Sequence, residues 1–142
     1  MDFKTATKTC LQKYATFSGR APRSEYWYFI LFSVLGQFLL SLVDMLLGMG
    51  DLSPLSSLFS LALVIPTFAA GARRLHDINR TGWWQLLTLI PIIGWIVLLV
   101  WYVKKGDDST NRFGSDPLSN APVADDIALD TSAIPSVRRD EV

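Results

Sequence analysis

The chain has 142 residues, of which half are apolar and only 18% are charged, with 13 Lys/Arg balancing 13 Asp/Glu. The length suits one domain. The charge content falls below the roughly one quarter usual in soluble domains, and the positive mean hydropathy points the same way, to a membrane protein. No block is basic enough for a nucleic-acid partner, and the single cysteine, Cys10, excludes an intrachain disulfide.

Residues 3–17, FKTATKTCLQKYATF, place Phe3, Ala6, Cys10, Tyr14 and Phe17 at helical spacing, with Lys4, Lys8 and Lys13 largely elsewhere. This predicts a short amphipathic helix lying in a membrane interface; packing on its own protein is the plainer alternative. A cleavable signal would need its apolar core near residue 10. The first long apolar run begins only at Tyr26, so no signal peptide is expected.

Gly19 and Pro22 break that helix, and Ser24 is the expected N-cap of the next. Tyr26–Val43 is eighteen residues without a charge, about 27 Å of helix against a bilayer core of about 30 Å. Asp44, at its far end, is expected to reach the outer interface. After a turn at 48–54, Leu55–Ala72 is a second uncharged run of eighteen, with Pro66 inside it. A proline there is tolerated when neighbours satisfy the carbonyl it frees. Trp83–Val103 is a third, of twenty-one residues, interrupted by Pro91 and Gly94.

The fold expected is therefore an all-α integral membrane protein, a small bundle of about three transmembrane segments behind an amphipathic interfacial helix. Residues 1–25 form a basic cytoplasmic segment. Residues 26–105 form the membrane domain, with segments at about 26–47, 54–72 and 83–103. A turn motif at 106–117 and a disordered polar, acidic tail at 118–142 follow.

Lys and Arg number five in residues 1–25, none in 48–54, three in 71–82 and three in 104–112. Cytoplasmic loops carry the excess, so the N-terminus and the 71–82 loop lie inside. A third crossing would then put Lys104, Lys105 and Arg112 outside, against the rule. A break at Pro91–Gly94 would return the chain as a re-entrant hairpin. The length of the run favours a Pro-kinked crossing, and the charges favour the hairpin. Trp27, Trp83, Trp84, Trp101 and Tyr102 serve as interface anchors in either case.

Three stretches, FSGRAPRSEYW, ARRLHDINRTGWW and NRFGSDP, occur in this order around the apolar runs. The pattern over residues 10–117 resembles the bacterial inner-membrane family known as domain of unknown function 805. The resemblance implies an integral protein of the bacterial inner membrane. It implies no activity and no catalytic residue.

Arg73, Arg74, His76, Asp77 and Arg80 allow two readings. Forked guanidiniums bind phosphate, and a histidine beside an aspartate can act as acid or base. Alternatively, the arginines fix topology and snorkel to head groups, with Asp77 paired to Arg73 four residues earlier. If the first two spans form a hairpin, Arg20, Arg23 and Glu25 meet this cluster on the cytoplasmic face, and Glu25 pairs with Arg73 or Arg74. Phe113 is expected to anchor the NRFGSDP turn to the membrane. A His-Asp dipeptide lacks the ligands of a metal site, so no metal, cofactor or catalytic residue is assigned. No ionisable group at mid-depth marks a transport pathway.

The function expected is that of a binding or structural membrane protein whose basic cytoplasmic face holds anionic lipid or a protein partner. The alternatives are an enzyme acting on a phosphorylated lipid-linked substrate and a transporter accessory subunit. Self-association is expected, in an unspecified number of copies.

Overall fold

A computed structural model describes residues 1–49 and 51–119. Most of the expected tail, 118–142, lies outside the described residues. In chain order come α1 (Phe3–Gln12), α2 (Arg23–Leu46), α3 (Pro54–Asp77), a 3-10 segment (Gly82–Leu89) and α4 (Ile93–Val103). Among the described residues there is no strand, only an isolated bridge between Asn111 and Gly114.

α2 and α3 are the two helices long and apolar enough to cross a membrane. Each has 24 residues, about 36 Å at 1.5 Å per residue, which exceeds the hydrocarbon thickness. They pack as a hairpin, Phe29 wholly buried between them and Phe59 edge-on to Phe32. Phe38, Leu39, Leu58 and Leu61 face outward, each at least 60% exposed, as a lipid-facing surface requires.

α2 begins one residue before the expected cap. Pro22 occupies the cap position, and its carbonyl accepts from Tyr26 N at 3.3 Å. Ser24 falls inside the first turn because proline's fixed φ already suits the helix start. α3 opens on Pro54, where a missing N–H costs nothing. Its cap comes from outside the helix. Asp44, expected at the interface, is wholly buried and accepts from Leu55 N (3.2 Å), Ser56 N (2.9 Å) and Ser56 Oγ (2.8 Å). A carboxylate stabilises the positive end of the helix dipole, so Asp44 locks the α2–α3 turn.

Pro66 removes the N–H that would have bonded the Ala62 carbonyl four residues earlier. The Tyr14 hydroxyl donates to that carbonyl instead. This bond is one of several that tie the segment after α1 to α3. α1 packs on the first turns of α2 through buried Ala6 and Cys10, with Phe3 edge-on to Tyr28. Lys4, Lys8 and Lys13 all point outward.

The third apolar run is not a kinked continuous helix. Gly82 lies against Ala72, and Gln85 Nε2 donates to the Phe68 carbonyl at 3.0 Å. The 3-10 segment therefore descends antiparallel to α3. At the bottom, Ile92 has φ 66° and ψ −69°, and Ile93 N donates to the Pro91 carbonyl at 2.8 Å. That is the strained three-residue turn rarely used by a β-branched residue. α4 then climbs back. Trp95 Nε1 donates to the Thr88 carbonyl at 3.0 Å, and Trp84 and Trp101 meet edge to face at 5.5 Å. Gly94 packs on the Leu87 carbonyl, where any Cβ would collide. The eight 3-10 residues and eleven helical residues each cover about 16 Å, at about 2.0 and 1.5 Å per residue. Proline and the Ile92 turn thus fold a run long enough for one continuous helix into two antiparallel arms of matched length.

Candidate functional site

The charged motifs meet where α2 begins and α3 ends. Arg73 and Arg74 are adjacent on α3, so their side chains leave the helix about 100° apart. Arg73 turns toward α1 and α2. It forms a buried ion pair with Glu25 and donates to Cys10 Sγ at 3.8 Å. Arg74 turns toward α4. It pairs with Asp77 at 2.8 Å and donates to the carbonyls of Tyr102 (3.1 Å) and Lys104. The Tyr102 carbonyl belongs to the last turn of α4, the negative end of its dipole, where a guanidinium is stabilised, and Lys104 is the residue that caps it.

Asp77 does not pair with Arg73, as four-residue spacing suggested. Its second partner is Arg20, at 3.0 Å. Arg20 also donates to the carbonyls of Ser109 at 2.7 Å and Gly114 at 3.3 Å. One arginine thus holds the end of α3 and the C-terminal turn together. Ala21 N completes the joint on the Arg73 carbonyl at 2.9 Å.

The NRFGSDP turn docks on the same knot. Asn111 Nδ2 donates to the His76 carbonyl at 2.9 Å, and Asp107 N donates to the Asp77 carbonyl at 2.8 Å. Arg112 donates twice to Asn79, with both contacts at 3.1 Å. Together they satisfy carbonyls left free at the end of α3. The Phe113 ring stacks on His76, centroids 3.9 Å apart and nearly parallel, because the Asn111 side chain turns the backbone by accepting from Phe113 N at 2.9 Å.

This geometry limits the chemistry. Arg20, Arg73 and Arg74 are at most 6% exposed, and their forks already face carboxylates and carbonyls. His76 donates from Nδ1 to the Gly19 carbonyl at 2.9 Å, while the Asp77 carboxylate faces two arginines. Histidine and aspartate are sequence neighbours without forming an acid–base dyad. Among the described residues no three His, Cys, Asp or Glu side chains converge as metal ligands. Burial, and then the Glu25 carboxylate, push the Cys10 thiol up to about 11.

The remaining candidates lie outside the knot. Arg80 lies over the Trp101 ring at 4.2 Å. Arg23 is exposed, and Trp27 Nε1 donates to the Tyr102 carbonyl at 3.3 Å. Trp83 is 78% exposed. Sequence reasoning missed Cys10 and the backbone acceptors of 102–109. Cys10 had a signal, its place on the Ala6 face of α1. Bare carbonyls have none.

The family described as "Protein of unknown function (DUF805)" matches residues 14–115. The chain belongs to the DUF805 family. Its relatives include inner membrane protein YhaI of Escherichia coli K12, 44% identical over 107 residues, covering 75% of this chain and 90% of YhaI. Inner membrane protein YhaH of the same organism is 43% identical over 110 residues, covering 75% and 91%. No solved structure matches. The DUF805 match takes in all of the knot except Cys10. With the two spanning-length helices, these relatives make the chain an integral protein of the bacterial inner membrane.

Proposed function

We propose that this DUF805 protein is a non-catalytic membrane protein that docks anionic phospholipid on its cytoplasmic face, and that the RRLHD cluster is the clamp shaping that face. The observation that carries this reading is the division of labour among the cations. The buried guanidiniums are committed to internal partners, whereas Lys4, Lys8, Lys13, Arg23 and Lys104 are exposed. Lys4 and Lys8 edge a groove of about 530 Å³ between α1 and α2, floored by Phe3, Leu11 and Phe32. Ammonium groups above an apolar floor suit a phosphate head group with its acyl chains below.

In this reading, α2 and α3 cross the bilayer with the N-terminus inside, and residues 82–103 re-enter from the cytoplasmic side. Two arms of about 16 Å reach only half of a core of about 30 Å. Their non-helical turn is tolerated at that depth if protein shields it. The arrangement returns Lys104, Lys105 and Arg112 to the cytoplasm, in keeping with the charge rule.

Native mass spectrometry of the full chain in mild detergent tests the lipid site, with phosphatidylglycerol and phosphatidylcholine offered together. Wild type is expected to retain phosphatidylglycerol, and Lys4→Ala/Lys8→Ala to lose it. Equal retention of both lipids, or no loss in the variant, would remove the site.

A further inference from the structure

The α2–α3 hairpin carries a second groove, away from the charged end. It is about 600 Å³ and mostly apolar, with Val34, Phe38, Phe59 and Val64 in its wall beside the hydroxyl residues Ser33 and Thr67. In its side lies one polar pair. Ser60 Oγ donates to Gln37 Oε1 at 2.6 Å, at the surface of the hairpin. The carboxamide oxygen is engaged, while its NH2 has no partner among the described residues.

Depth makes this costly. Gln37 lies six residues inside Val43, the outer end of the uncharged run, and so about 9 Å into the hydrocarbon. Acyl chains there offer no acceptor, and an unpaired amide in an apolar medium costs several kcal/mol. A lipid tail could fill the groove but leaves the amide unsatisfied.

We infer that this face binds a second copy of the chain, with Gln37 at the two-fold axis. Copies inserted in one orientation are related by an axis along the membrane normal, so each residue meets its equivalent at equal depth. A residue near that axis pairs with itself. A carboxamide is suited to such pairing, since each NH2 can donate to the second lone pair of the opposite carbonyl. The interface is self-complementary in a way an apolar residue at 37 could not make it. Phe38, 70% exposed, lines the groove with Phe59 and Val64, and these supply the packing that drives helix association in lipid.

Oxidative cross-linking in native membranes, using full-length Gln37→Cys and Leu39→Cys, tests this. Residue 39 lies about 200° around α2 from residue 37, on the face pointing away. A disulfide-linked dimer is expected for Gln37→Cys alone. Gln37→Leu, which keeps shape and removes the amide, is expected to raise the dimer dissociation constant in detergent about tenfold, the size of two membrane hydrogen bonds. Circular dichroism checks that helix content is retained. Cross-linking at 39 but not 37, an adduct with a different protein, or monomers throughout would overturn the inference.

Discussion

Glu25 is where the clamp is most easily broken. In Glu25→Leu, Arg73 keeps its charge at a site with no exposed surface. Among the described residues its Nε already lacks a partner, and what remains is the contact with Cys10 Sγ at 3.8 Å. No backbone carbonyl shares its side chain, in contrast to Arg20 and Arg74. An uncompensated buried charge costs about 3–5 kcal/mol, and the absence of backup acceptors puts Arg73 near the top of that range. Replacing both partners, Glu25→Leu/Arg73→Met, removes the stranded charge, and such exchanges are often neutral. The double variant should therefore lie within about 1 kcal/mol of wild type, and since Arg73→Met strands the Glu25 carboxylate at a similar cost, the coupling should be at least about 5 kcal/mol. Unfolding of the detergent-solubilised protein by increasing SDS, followed by tryptophan fluorescence, reads all four corners of the cycle. In cells, Glu25→Arg should impair accumulation and Arg73→Glu partly restore it. Additive losses in the double variants would refute the buried pair.

Tyr14→Phe should cost about 0.5–1.5 kcal/mol, because the Ala62 carbonyl loses its donor at an exposed site. Pro66→Ala, which supplies a backbone N–H to that carbonyl, should make Tyr14→Phe nearly silent in the same SDS titration. With its thiol held near 11, Cys10 should react with maleimide at pH 8 about two orders of magnitude more slowly than an exposed cysteine, since only the thiolate attacks. The raised value also gives the sign: the rate should climb about tenfold per pH unit toward pH 10. A C-terminal green fluorescent protein fusion should fluoresce and an alkaline phosphatase fusion should be inactive; the opposite pair would mean that residues 82–103 cross the membrane.

The two long helices were legible because uncharged runs of eighteen residues permit few alternatives. The hairpin at 82–103 was only half legible. Length suggested one continuous helix, and what bends the run back on itself is local: Pro91, a positive φ at Ile92, and Gly94 against Leu87, of which only the proline and glycine are visible as letters. The cluster itself was legible as a meeting of Glu25 with the arginines. Its wiring was not, because the partners depend on which way Arg73 and Arg74 leave α3 and on carbonyls 28 to 94 residues away in the chain. Asp44 shows the same limit. Its charge suggested an interface, and its role as a cap emerges only when α3 starts beside it.

The most direct test of the division between clamp and lipid site is the distance from lipid phosphorus to protein nitrogen in phosphatidylglycerol bilayers, measured by solid-state NMR on lysine- or arginine-labelled full-length protein. The account predicts close phosphorus contacts for lysine ammonium nitrogens that vanish in Lys4→Ala/Lys8→Ala, with no phosphorus near the Arg20, Arg73 or Arg74 guanidiniums. Phosphorus contacts on arginine signals that disappear in Glu25→Leu/Arg73→Met would contradict it, and would make the buried cluster the anion site.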